Sequence, residues 1–281
     1  MIKRELLLGD EALALGALHA GLSGVYAYPG TPSTEITEYI QGHPLTAERG
    51  IHCTWSANEK TAMEEALGLS FAGKRAPVCM KHVGMNVAAD AFVNSAMTGA
   101  NGGLVVVAAD DPSMHSSQNE QDSRHYAIAA KLPMFEPSDA AESLAFAKLA
   151  YEVSEKFDTP VLLKMCTRVA HSQSVVEPSA RQEVTPVPYE KNIAKFVMMP
   201  ACAKARHPIV EQRTLALQAW AETAEINRME DGADHSIGLI ASSTSYQYVK
   251  EVCGSRYPVL KLGMVNPLPV EKIRAFAQSV A

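Results

Sequence analysis

Glu59 stands where a carboxyl group can do chemistry. The stretch Cys53-Thr-Trp-Ser-Ala-Asn-Glu59 reads as a strand end running into a helix that opens near Ser56 and stops at Gly73. Such strand-to-helix junctions are where α/β folds place ligands. Ser56 and Glu59 also have capping-box spacing, in which hydroxyl and carboxylate each satisfy an orphan amide of the first turn. A carboxyl here can exchange a proton with a bound molecule or simply cap its own helix, and these residues alone leave both open. Thr31, followed by Pro32, suits an N-cap with proline at the first helical position. A hydroxyl and free amides at a helix start favour an anionic group such as a carboxylate. The run from Asp110 to His125 holds acids and histidines but no ligand-like spacing, so no metal site is read there.

The elements that must position these groups alternate. A helix is expected from Asp10 through Ala20, closed by Gly21, then a strand Gly24–Tyr28 leading into Pro29. Ala76–Lys81 reads as a strand, His82 to Met85 as a turn, and Asn86–Thr98 as an alanine-rich helix. Gly103–Ala109 is a continuous apolar strand, the mark of a parallel sheet covered on both faces. A polar loop, Asp110 to Arg124, follows; Ser138 caps a helix through Lys156, and Pro160–Cys166 is a last strand. The alternation, beginning at Ile2, predicts a doubly wound parallel α/β domain over residues 1–167. Two small-residue stripes, Ala62/Ala66/Ser70 and Ala88/Ala91/Ser95, predict helices that approach closely.

Residues 168–234 break the rhythm with Pro178, Pro186, Pro188 and Pro200 and read as a linker with one helix, Pro208–Met229. Its Lys191, Lys195, Lys204, Arg206 and Arg213 suggest a solvated basic face. A second α/β unit spans 235–281: strand Ile237–Ala241, helix Thr244–Val252, strand Pro258–Leu262 and helix Pro269–Ala277. Two strands and two helices cannot close an independent core, so further sequence or another chain is expected to complete it.

Composition narrows the function classes. Hydrophobic residues make up 47% and charged residues 20%, a globular profile, and the net charge of -6 argues against a nucleic-acid platform. No apolar run approaches a membrane span, and the expected location is cytoplasmic. The five cysteines lie far apart without a Cys-x-x-Cys, which points to reduced thiols and excludes a self-contained iron–sulfur cluster.

Three segments together resemble one family: Tyr28-Pro-Gly-Thr-Pro-Ser-Thr-Glu35, Ser56-Ala-Asn-Glu59 through Ala66, and Asp110-Asp-Pro-Ser-Met-His-Ser-Ser-Gln-Asn-Glu-Gln-Asp-Ser-Arg124. The later runs Ser245–Lys250, Val259–Met264 and Pro267–Pro269 fit the same pattern. The family is the thiamine-diphosphate-dependent 2-oxoacid:ferredoxin oxidoreductases, α subunit of the indolepyruvate (arylpyruvate) type. The resemblance implies oxidative decarboxylation of an aryl-2-oxoacid to an acyl-CoA, with ferredoxin as electron acceptor. It implies that Glu59 hydrogen-bonds N1′ of the thiamine pyrimidine and exchanges a proton with it, which activates C2 of the cofactor. Thr31 and Arg124 would hold the substrate carboxylate, the latter bidentately, and His82 and His115 would reach substrate or pyrimidine. Pro29, Gly30 and Asn86 would line the cofactor. Neither a Gly-Asp-Gly diphosphate signature nor cluster cysteines occur here. The diphosphate–Mg²⁺ site and the [4Fe-4S] clusters are therefore expected on further sequence or on partner subunits, alongside homodimer-like pairing. A non-redox 2-oxoacid decarboxylase subunit and a non-catalytic scaffold of the same fold are the alternatives.

Overall fold

The computed structural model describes residues 4–281, and the expected start of the alternation at Ile2 lies outside them. A seven-stranded sheet forms the centre, in the order Met264–Asn266, Met134–Phe135, Val161–Cys166, Leu104–Asp110, Ala76–Lys81, Gly24–Ala27, His52–Trp55. All neighbours are parallel except Met264–Asn266, which runs antiparallel to Met134–Phe135. The doubly wound parallel sheet expected from the sequence is therefore present. Its central strand shows why: Val105, Val107 and Ala109 join one buried cluster, and Leu104, Val106 and Ala108 the other. Burying both faces is worth about 1.5–3 kcal/mol for each Val or Leu side chain removed from water.

Register sets the position of the site. Ala27 pairs with Cys79 and Trp55, Lys81 with Ala109, and Asp110 with Cys166, so these strands end along one sheet edge. The connections Tyr28–Ser33, Ser56–Asn58 and Asp111–Ser123 all leave from it.

The two small-residue stripes pack within the chain. Ala62, Ala66 and Ser70 of the helix Glu59–Phe71 are fully buried with Ala88, Ala91 and Ser95 of the helix His82–Thr98. Both stripes are spent on this intramolecular contact, which leaves neither to face a second subunit, the role the family resemblance would give them. Gly73 ends the first of these helices as expected; with φ +80° it takes a backbone conformation that side-chain-bearing residues rarely adopt.

The segment read as a linker is anchored. Its helix runs Pro200–Thr223, with Pro208 inside it, and its basic face is partly buried. Arg206 Nε donates to the Met97 carbonyl at 2.8 Å and Nη2 to Asp158 Oδ2 at 3.0 Å, while Arg213 Nη1 donates to the Asp158 carbonyl at 2.6 Å. These arginines satisfy helix-end carbonyls rather than facing solvent. The strand Arg228–Glu230 also lies in this segment and pairs antiparallel with Val259–Leu262. With Leu239–Ser242 it forms a three-stranded sheet. The last unit thus gains a strand from the segment before it and lends Met264–Asn266 to the main sheet. Among the described residues no helix is long and apolar enough to cross a membrane.

Candidate functional site

Glu59 is the first residue of its helix, not the fourth of a capping box. Asn58 is the N-cap, its Oδ1 accepting the Thr61 N–H at 2.9 Å. Ser56 lies upstream and donates its hydroxyl to Glu65 Oε2 at 2.6 Å. The expected Ser56–Glu59 reciprocity is absent because Asn58, an equally strong cap former, takes the boundary. Glu59 is consequently free of the capping duty. Its half-buried carboxylate has no hydrogen-bond or ion-pair partner among the described residues. It is seated against Gly84: a Cβ at position 84 would lie 2.6 Å from Glu59 Cγ and 2.7 Å from Oε1.

Thr31 does not cap a helix. The helix begins at Thr34 behind Ser33, and the Thr31–Pro32 bond is cis. The loop is closed locally, with Ser33 Oγ donating to the Gly30 carbonyl at 2.8 Å and the Gly30 N–H to Thr34 Oγ1 at 3.0 Å. That leaves Thr31 half-buried in the loop at the same edge as Glu59, with no partner for its hydroxyl among the described residues. Pro29 is exposed beside it. Gly30 passes close to Lys81, whose Cβ would stand 3.2 Å from a Cβ at position 30.

The two histidines are held differently. His82 opens a helix instead of a turn and is fully buried, with Nε2 donating to the Asn119 carbonyl at 3.0 Å. That bond pins the 111–123 loop, while Nδ1 is buried without a partner. His115 is exposed within that loop, and only its backbone N–H is engaged, by Asp111 Oδ1 at 3.3 Å. Asn86 is exposed on the His82 helix and accepts the Tyr126 hydroxyl.

Arg124 is committed elsewhere. Its Nε and Nη2 form a fork on Glu136 at 2.6 and 3.2 Å, and Nη1 reaches Asp122 at 3.0 Å. The bidentate clamp expected for a substrate carboxylate is therefore spent inside the protein. Glu136 is fully buried and lies past the helix that Arg124 opens, so no helical or strand period signals this pairing. Lys164 sits 3.6 Å from the same Glu136 and 3.4 Å from Asp110, and Ser242 donates to Glu136 at 3.0 Å. Arg124, Lys164, Asp110 and Ser242 line a cavity of about 210 Å³ between the main sheet and the helix Ser243–Cys253. Neither Lys164 nor Glu136 stands out in the sequence: Lys164 lies inside the expected strand Pro160–Cys166, and Glu136 falls between expected elements.

Asp111 organises the loop. It is buried and accepts from Ser116 N at 2.8 Å, Ser117 Oγ at 2.6 Å and Thr167 Oγ1 at 2.9 Å. Burial alone would raise its pKa, but these hydrogen bonds favour the carboxylate and bring it down to about 2. The folded value lies below the unfolded one, so the stabilisation is complete above the ordinary aspartate range and drains away as pH falls towards about 2. Protection of the His115 and Ser116 amides against hydrogen exchange is expected to fall over that window. An Asp111→Asn variant should lack the pH step, and a loop that loosens identically in both would remove Asp111 from this role.

The domain is a doubly wound α/β sheet with an unpartnered acid at a strand-to-helix junction, the place where such folds take ligands. The family described as pyruvate flavodoxin/ferredoxin oxidoreductase, thiamine diP-binding, matches residues 15–236, and the chain belongs to it. It is 44% identical over 281 residues to the indolepyruvate oxidoreductase subunit IorA of Archaeoglobus fulgidus, covering 98% of this chain and 45% of that one. The IorA of Methanothermobacter thermautotrophicus is 42% identical over 275 residues, covering 96% and 44%. The chain thus spans less than half the length of these relatives. The 2-oxoglutarate:ferredoxin oxidoreductase from Magnetococcus marinus shares the fold, with a TM-score of 0.80 at 18% identity over 98% of this chain and 56% of that one.

Proposed function

We propose that this chain supplies the pyrimidine-binding part of an oxidoreductase that decarboxylates an aryl-2-oxoacid, forms an acyl-CoA and passes electrons to ferredoxin. The observation that carries this reading is the Glu59 carboxylate, unpartnered and seated on Gly84 at the sheet edge. The residues present fit the pyrimidine half of thiamine diphosphate: an acid with no internal partner, a glycine that makes room for it, and the Pro29–Gly30–Thr31 loop beside it. When bound, that cofactor supplies a nucleophilic carbon for the 2-keto group and takes up the electrons released with CO₂. Glu59 holds a proton at the pyrimidine N1′ and returns it, a role that requires a carboxyl with no competing internal bond. Thr31 offers its hydroxyl to the substrate carboxylate. Arg124, held by Glu136 and Asp122, sets the charge of the neighbouring cavity without clamping the substrate itself. The diphosphate–Mg²⁺ half, the [4Fe-4S] clusters and coenzyme A are assigned to further sequence or partner subunits. The length of the relatives, more than twice this chain's, supports that assignment.

The native complex is the material for the test. Indolepyruvate is expected to drive ferredoxin reduction only when coenzyme A is present, in a preparation that contains iron and acid-labile sulfide. Coenzyme-independent release of the aldehyde from an iron-free complex would replace this reading with non-redox decarboxylation. No turnover of any 2-oxoacid would leave a scaffold.

A further inference from the structure

A second group of chemically capable side chains lies apart from Glu59. Asp10, in the first turn of the helix Gly9–His19, is fully buried, and neither oxygen of its carboxylate has a partner. Glu35, in the first turn of the helix Thr34–Gly42, has its Oε2 buried without a partner as well. His171, just after the short helix Thr167–Ala170, places Nε2 3.5 Å from Glu35 Oε1. One ligand atom from each of the three lies within 4.8 Å of the other two.

Two acids in one partly buried pocket are costly. A buried carboxylate with no donor loses hydration without compensation, and a second carboxylate beside it adds repulsion. Glu11, next to Asp10, supplies no donor and adds a further negative charge, its Oε2 accepting the Leu8 N–H at 2.8 Å. A dication removes both costs at once, since two carboxylates neutralise it and an imidazole completes three ligands. Oxygen, oxygen and nitrogen are a donor set for a first-row divalent metal, Zn²⁺ foremost. Tetrahedral bonds of about 2.0–2.1 Å put neighbouring ligand atoms roughly 3.3–3.4 Å apart, close to the separation of His171 and Glu35.

We propose that Asp10, Glu35 and His171 form a divalent-metal site, with water in the fourth position. The site would bind the first helix, the helix behind the Thr31 loop and the segment after Val161–Cys166 to one ion. Glu35 follows Thr31 by four residues, so the metal fixes the far end of the loop that presents that hydroxyl. The inference does not depend on the thiamine reading.

Chelator-stripped protein titrated with Co²⁺ alone tests it. One equivalent is expected to produce the visible absorption of four-coordinate cobalt, bleached by one equivalent of Zn²⁺. Asp10→Asn and His171→Ala should each weaken binding by about 100-fold or more, at or beyond the ~10–100-fold typical of losing an outer-shell partner. Asparagine is nearly isosteric and His171 is at the surface, so both variants should fold, as circular dichroism would verify. His207→Ala, removing an exposed imidazole 3.2 Å from Glu211, should change nothing. Absence of the four-coordinate band in the wild type, or a band that survives both ligand variants or vanishes in His207→Ala, would overturn the site.

Discussion

Glu59→Gln is expected to slow hydrogen–deuterium exchange at C2 of bound thiamine diphosphate by about 100-fold or more, the range associated with losing a positioned acid–base group. The amide keeps the size of the side chain and can still hydrogen-bond N1′, but it cannot exchange a proton there. Stability should hardly move. Asn58, not Glu59, caps the helix, so the substitution removes only a favourable charge from the first turn, worth about 0.3–1 kcal/mol. The measurement uses the assembled, cofactor-loaded complex and needs no knowledge of the preferred substrate. A glutamine variant that exchanges C2 at the wild-type rate removes Glu59 from the mechanism. A variant that melts far lower while exchanging normally would make it a structural residue.

What the sequence reveals and what it hides follow different physics. The parallel sheet is legible because Leu104–Asp110 is apolar on both faces up to its last residue, and a strand covered twice has no polar alternation to lose. Glu59 is legible as a carboxyl at a strand-to-helix junction, but its helix start is not. Ser56 and Asn58 are both strong cap formers, and only the backbone decides between them. Hidden too are Met264–Asn266 and Arg228–Glu230, three-residue strands whose partners lie far along the chain. The same holds for charge. Arg124 looks free in a polar loop, yet its carboxylate partner Glu136 is fully buried beyond the following helix. Arg206 and Arg213 look solvated and are bonded to main-chain carbonyls more than 100 residues earlier in the sequence at Met97 and Ala96. Long-range pairing of buried charges carries no local period, so the sequence cannot show it.

Gly84→Ala separates folding from function most cleanly. Position 84 reads as a turn in the sequence but lies in the first turn of the helix His82–Thr98, where alanine is intrinsically preferred to glycine by up to about 1 kcal/mol. The new Cβ would meet Glu59 Cγ, Oε1 and Cδ at 2.6–2.9 Å, a flexible side chain that can swing aside at little cost. Thermal stability is therefore expected to hold, while the carboxylate is driven out of its seat. A displacement of about 1 Å in a catalytic group can cost ~100-fold, so C2 exchange should fall by about that factor. The double variant Gly84→Ala/Glu59→Gln discriminates further. If Gly84 acts only by seating Glu59, the two losses will not add, and the double variant will be no slower than Glu59→Gln alone. Full additivity, or wild-type exchange in Gly84→Ala, would mean that the glycine serves the cofactor or the helix packing and not the acid.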